Sequence, residues 1–274
     1  MRNGFTGSII ARKTMLTVLA VVALSPAAFA QAFDPHDLSG FWDMTNIGTA
    51  PGAIANAVGN NRPPMTDWGK AKFSKAKTGY DGKQLSAGVY PEKKDWNDPL
   101  LWCDPPGFPR IMWHPTQPGM RFVQTPDEVL QFFENGRTWR DLWTDGRKLS
   151  EEAEPRWYGY SVGKWAGDTF VVNSTGYMEN SWLDQYGSPH SDQMRIDERY
   201  RRVDRDHLEL VITVTDPMAY TQPWVGDKKT FVRVDRPSRS PFNDLRENLC
   251  VWSEVRSFFG RTDPTNADGN EIKK

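Results

Sequence analysis

The sequence has no basic excess, few metal ligands and no long apolar run. Its 34 lysines and arginines face 35 acidic side chains, so it lacks the positive field that a dedicated nucleic-acid binder carries. Four histidines and two distant cysteines offer no H-x-H, H-E-x-x-H or close Cys pair for zinc. An apolar fraction of 38% excludes a multi-span membrane protein. There is no glycine-rich phosphate loop, heptad series or internal repeat. The βαβ units of nicotinamide and flavin folds are missing. Gly159-Tyr-Ser161-Val-Gly163 has the letters of a nucleophile elbow. It falls inside a strand pattern without the strand–turn–helix context that the motif needs, so it does not indicate a serine hydrolase.

What is present begins with an export signature. Arg2, Arg12 and Lys13 precede a short apolar run, Met15 to Leu24, and Ala28-Phe29-Ala30 reads as a cleavage site. Residues 1–30 are therefore expected to be a Sec-type signal peptide, and the protein periplasmic or secreted, with no membrane span once the signal is removed. Cleavage would take 30 of the 274 residues, leaving 244, and would remove three basic charges, moving the net charge from −1 to −4. In an oxidising compartment Cys103 and Cys250 are expected to form a disulfide, with two buried free thiols as the alternative. Closing a loop of that length contributes roughly 5 kcal/mol in the chain-entropy account.

The 20 prolines and 22 glycines argue against long helices. Ten of the prolines lie between residues 46 and 119, where no periodic pattern lasts except a short helix near 67–76. Residues 31–119 read as an irregular wrapping segment that includes the first strand, 120–258 as a β-barrel, and 259–274 as a flexible tail. Strands are expected near 38–45, 120–125, 128–134, 137–144, 157–166, 169–175, 193–204, 207–216, 228–235 and 249–257. The turns between them are marked by Asn135-Gly136, Asp145-Gly146 and Gly167-Asp168. Eight to ten strands joined mostly by tight turns predict an all-β, antiparallel up-and-down barrel, because closure removes exposed edges. A sandwich is the alternative. Barrels of this size enclose one small ligand.

Strand alternation sorts the side chains. Leu208, Leu210, Ile212 and Val214 share one face. Ile196 and Tyr200 share theirs with Glu198 and Arg202, so Glu198 is either ion-paired with Arg202 at the rim or a functional group in the cavity. Trp157, Gly159, Ser161, Gly163 and Trp165 share a face whose small residues leave room for a pocket or for an aromatic from elsewhere. His36 and His207 read as surface residues and His114 as a packed one. His190 lies in the long 176–192 connection with Asp184, Tyr186 and Ser191, and is either a site residue at a barrel mouth or a loop-stabilising hydrogen-bonder.

Several segments carry a resemblance: Asp37-Leu-Ser-Gly-Phe-Trp42, Cys103-Asp-Pro-Pro-Gly-Phe-Pro-Arg110, Phe122-Val-Gln-Thr-Pro-Asp127, Thr144-Asp-Gly-Arg147, Tyr158-Gly-Tyr-Ser-Val-Gly-Lys-Trp-Ala-Gly-Asp-Thr169, Trp182-Leu-Asp-Gln-Tyr-Gly-Ser-Pro-His-Ser191, Glu198-Arg-Tyr200 and Asp216-Pro-Met-Ala-Tyr-Thr-Gln-Pro-Trp224. Together they resemble a family of exported bacterial lipocalin-like β-barrel proteins over residues 37–252. The resemblance implies a secreted barrel. For some members it implies decarboxylation of phenylcoumaran carboxylates derived from lignin. The sequence departs from the family where Lys148-Leu149-Ser150 stands in place of a His-Pro pair, so no role for that histidine carries over.

Two function classes follow. The first is a cofactor-independent lyase acting by decarboxylation on a small aromatic, lignin-derived phenolic carboxylate. Arg110, Arg140 and Arg202 are then candidate carboxylate clamps. Tyr160, Tyr220, Glu198, His190 and Asp184 are candidate proton carriers, and Trp157, Trp165, Trp182 and Trp224 candidate stacking platforms. No cofactor or metal is called for. The second is a non-catalytic barrel that binds a hydrophobic aromatic or lipid ligand. Nucleic acid is not an expected partner, and the oligomeric state is not legible in the sequence.

Overall fold

The computed structural model describes residues 33–45, 62–78, 96–113, 119–234, 245 and 249–251, together with residues 1 and 4. All of the expected signal peptide but residues 1 and 4, His114, the 259–274 tail and most of the expected 249–257 strand lie outside them. The described elements belong to the compact unit Phe33–Lys274.

Nine strands close into a barrel: β1 (Gly40–Met44), β2 (Gly119–Gln124), β3 (Glu128–Phe133), β4 (Thr138–Trp143), β5 (Tyr160–Ala166), β6 (Thr169–Thr175), β7 (Arg195–Arg202), β8 (His207–Thr215) and β10 (Lys229–Val234). The two-residue β9 (Trp224–Val225) is an addition at one end of β8. Closure depends on the length of β8. Its first half pairs with β10, Leu208 opposite Phe231, while Thr213 and Val214 pair with β9. β10 also pairs with β1, which completes the ring. The up-and-down expectation holds at every junction but one: β4 and β5 run parallel, because the 144–159 connection crosses over instead of turning back.

The inward face follows the alternation in the sequence. Leu208, Leu210, Ile212 and Val214 are all buried, as are Ile196, Glu198, Tyr200 and Arg202. Positive φ at Gly136 and Arg137 makes the tight β3–β4 hairpin that the Asn-Gly pair predicts. The room left by the glycine of β5 and by the one just before it is occupied by aromatics. A Cβ at Gly163 would lie 2.4 Å from the Phe170 ring, and one at Gly159 2.6 Å from Tyr177.

The described parts of the proline-rich segment are anchored to the barrel. Helix α1 (Asp67–Phe73) starts at Thr66, whose hydroxyl accepts from the Gly69 amide at 3.1 Å. Met65 bridges to Tyr220. A 3-10 turn (Pro99–Trp102) leads to Cys103, bonded to Cys250 across 147 positions as expected. Helix α2 (Arg110–Trp113) follows, with all four residues buried. Phe108 just before it is 1% exposed and lies against Arg140, an inward-facing residue of β4.

Candidate functional site at the parallel junction

β4 and β5 share two register pairs, Leu142 with Ser161 and Trp143 with Val162. Before those pairs the strands approach from different directions. β4 comes out of the hairpin with β3, whereas the residues leading into β5 are tied to the end of β6 by the Arg156–Tyr177 bridge. A cleft of about 410 Å³ opens there. Trp139, Arg156 and Pro155 are its exposed rim, Trp143, Trp157 and Tyr160 its half-buried walls, and Arg140, Tyr158, Gly159 and Ser161 its buried floor. Burial pushes the Tyr158 hydroxyl up to about 12, so this phenol stays protonated at physiological pH.

Behind the floor lies a polar cluster drawn from three strands. Arg140 donates from Nη1 to Glu198 Oε1 at 2.8 Å and from Nη2 to Oε2 at 2.5 Å. Its Nε donates to Gln131 Oε1 at 2.8 Å, and its guanidinium carbon lies 3.7 Å from the centre of the Phe108 ring. The Tyr200 hydroxyl donates to Glu198 Oε2 at 2.7 Å. Burial opposes the charge on Arg140, but the Glu198 carboxylate more than offsets it and holds the guanidinium above its ordinary range. Burial, then Glu198, pushes the Tyr200 phenol well up. The cluster is therefore a saturated ion pair with a protonated phenol attached, in contact with the cleft through Arg140.

Glu198 is thus paired, but not with Arg202. The Arg202 guanidinium donates to the carbonyls of Asp37 at 2.7 Å, Asp34 at 3.2 Å and Arg205, packing beside Trp42 and Phe33. It ties the segment before β1 to the β7–β8 turn. Arg110 is closed off by a bidentate pair with Asp98, at 2.7 and 2.5 Å, and faces Trp182. Of the residues singled out in the sequence, Arg140, Trp157 and Tyr160 line the cleft and Glu198 adjoins it.

The others lie elsewhere. Trp165 packs on Phe170 and His36. Trp224 packs on Trp113 and Tyr220. Asp184, His190 and Tyr220 belong to a second buried network that organises the 176–192 connection. Asp184 accepts from the amides of Tyr186 and Ser188 and from the Ser188 hydroxyl. Asp216 accepts from the amide and hydroxyl of Ser191 and from the amides of Met218 and Ala219. The Tyr220 hydroxyl donates to the Pro189 carbonyl at 2.9 Å. His190 lies between the Ser181 hydroxyl, 3.0 Å from Nε2, and the Ser191 carbonyl, and burial pulls its imidazole below the ordinary value. These two groups hold His190, whereas Glu198 is held by Arg140 and Tyr200, so the two residues sit in separate networks.

Gln131, Phe108, Trp139, Trp143, Tyr158 and Arg156 were not singled out. Gln131 carried the signal that marked Glu198, a polar residue alternating with apolar Val129 and Phe133 on an inward face. Ser161, the centre of the elbow-like letters, lies within β5 and accepts from Ser174 at 2.8 Å, an arrangement unlike a strand–helix turn. No protein-family model and no curated protein matches the chain.

Proposed function

We propose that this is an exported protein that binds a small aromatic carboxylate in the cleft between β4 and β5. The observation that carries the reading is the lining: Trp139, Trp143, Trp157, Tyr158 and Tyr160 around about 410 Å³, with Arg140 and Arg156 among them. Pockets of this volume hold ligands of one or two rings, and stacked aromatic walls with few polar groups suit a planar acid. Export is supported by the Cys103–Cys250 bond. Among the described residues, no helix is long and apolar enough to cross a membrane.

Turnover is the second reading, favoured by the contact of the cleft with a protonated phenol and a carboxylate through Arg140. The chemistry is a cofactor-independent decarboxylation of a phenolic acid of the kind that lignin yields. For a para-hydroxylated cinnamate, the phenol gives up its proton and the carbon bearing the carboxylate gains one, forming a quinone methide. The electrons of the bond to the carboxylate then flow back into the ring, CO2 leaves, and the resulting phenolate is reprotonated. Titration of the protein with 4-hydroxycinnamate, followed by tryptophan fluorescence and by CO2 release, tests both readings. Saturable quenching with no CO2 leaves a carrier, quenching with CO2 a lyase, and no saturable quenching ends the cleft reading.

A further inference from the structure

We infer that Arg156, at the mouth of the cleft, is the group that holds the ligand's carboxylate, so the aromatic ring enters first and points toward Tyr158 and Arg140. The inference rests on the cleft reading above. A guanidinium can clamp a new anion only with N–H groups that are still available. The other arginines in or near the site have spent theirs. Arg140 is taken by Glu198 and Gln131, and one face of it is covered by Phe108. A ligand carboxylate placed there would also meet the Glu198 carboxylate in a dry interior, where like charges repel strongly. Arg110 is taken by Asp98, Arg202 by backbone carbonyls, and Arg147 by Asp145 with Trp143 beneath it.

Arg156 differs on each point. It lines the cleft, its side chain is exposed, and among the described residues its guanidinium has no hydrogen bond or ion pair. Its backbone is fixed: its amide donates to the Gly176 carbonyl at 2.9 Å and its carbonyl accepts from the Met178 amide at 3.1 Å. The guanidinium carbon lies 6.0 Å from the centre of the Tyr160 ring, so an anion bound by it would have that aromatic wall beside it. Asp141 lines the cleft from the β4 side. Its charge disfavours a second carboxylate there, and the site therefore selects monocarboxylates with a neutral leading ring.

The test pairs an acid with its neutral isostere. The full-length protein and Arg156→Gln are titrated with 4-hydroxycinnamate and with 4-hydroxycinnamamide. Loss of one charge-assisted clamp corresponds to about 10- to 100-fold in affinity. The expected result is a loss of that size for the acid and less than about threefold for the amide, with an unchanged melting temperature and partial rescue by Arg156→Lys. Acid binding to Arg156→Gln as tight as to the parent, or equal losses for both probes, overturns the inference while leaving the cleft reading intact. If neither probe binds the parent protein, the cleft reading falls first and the inference with it.

Discussion

Two of the buried polar networks among the described residues are built from different donors. Asp184 in the 176–192 connection and Asp216 just after β8 are satisfied chiefly by backbone amides and serine hydroxyls close to them in the fold. In the barrel, Glu198 is satisfied by a guanidinium from β4, on a strand not adjacent to its own, and by a phenol on its own strand. The first arrangement fixes the path of a loop. The second places a strong cation and a strong anion in the interior, and continues into an aromatic cleft. Neutral donors suffice to fold a loop. A formally charged pair across a barrel is a structural cross-brace, and here it touches the cleft through Arg140.

Breaking the barrel pair has the largest expected effect. Glu198→Gln leaves Arg140 buried without its counter-charge and costs about 3–5 kcal/mol of unfolding free energy, read by urea titration. The double variant Arg140→Met, Glu198→Leu recovers most of that loss, because it removes both charges from a site where their desolvation is expensive. A loss under about 1 kcal/mol for the single variant, the range of an exposed pair, would mean that the interior is wet.

The loop network is the other arm of the comparison. Asp216→Ala strands the Ser191 amide and hydroxyl and the Met218 amide, while the Ala219 amide keeps the Asp216 carbonyl, and is expected to cost about 2–4 kcal/mol. The folded fraction should still bind 4-hydroxycinnamate with the parent affinity, because none of these groups lines the cleft. A matching loss of affinity would join the two networks into one functional unit.

The difference between the networks also explains what the sequence revealed. Alternation in 207–214 and the Asn135-Gly136 and Gly167-Asp168 turns are local signals, and they placed the β3–β4 and β5–β6 hairpins and the inward face of β8. Arg140 and Glu198 each stood out as candidates. Their pairing did not, because they are 58 positions apart and meet only once the barrel closes. The cleft depends on one parallel junction; the 146–156 connection is long enough for a crossover, but length alone does not say that β4 and β5 pair. Arg156 therefore carried no signal of its own. His190 was ambiguous in the sequence because a histidine among Asp and Ser residues forms the same local bonds in a scaffold as in a site.

A third buried group belongs to neither network and sharpens the contrast. Lys229 faces inward on β10, is 3% exposed, and has no hydrogen bond or ion pair among the described residues. Burial lowers its amine to about 8. The folded state therefore gives up this proton before the unfolded chain does. The cost of burying the charge is present in full below about pH 8 and fades as the pH rises toward the ordinary lysine value, near 10.4. Lys229→Met should raise stability by about 1–3 kcal/mol at pH 7, with the gain shrinking between pH 8 and 10. A gain independent of pH would assign the effect to packing alone.

The smallest expected effect separates the networks by titration. Burial holds the His190 imidazole below its ordinary value, with the Ser191 carbonyl and Asp216 opposing that shift more weakly. As the pH falls, the unfolded chain takes up the proton first. The contribution of His190 to stability is therefore whole above about pH 6.5 and declines as the pH drops toward the lower folded value. A single proton sets the slope at no more than about 1.4 kcal/mol per pH unit. His190→Gln keeps a polar side chain beside Ser181 and cannot take up that proton, so its stability should fall less steeply than the parent's between pH 7 and 5. Hydrogen exchange shows where the difference arises. In the parent, amides of 181–191 should lose protection at the acid end while those of β4 and β7 keep theirs. If protection in β4 and β7 falls together with the loop, or if His190→Gln follows the parent curve, the loop is not an independent unit and His190 does not set its response to acid.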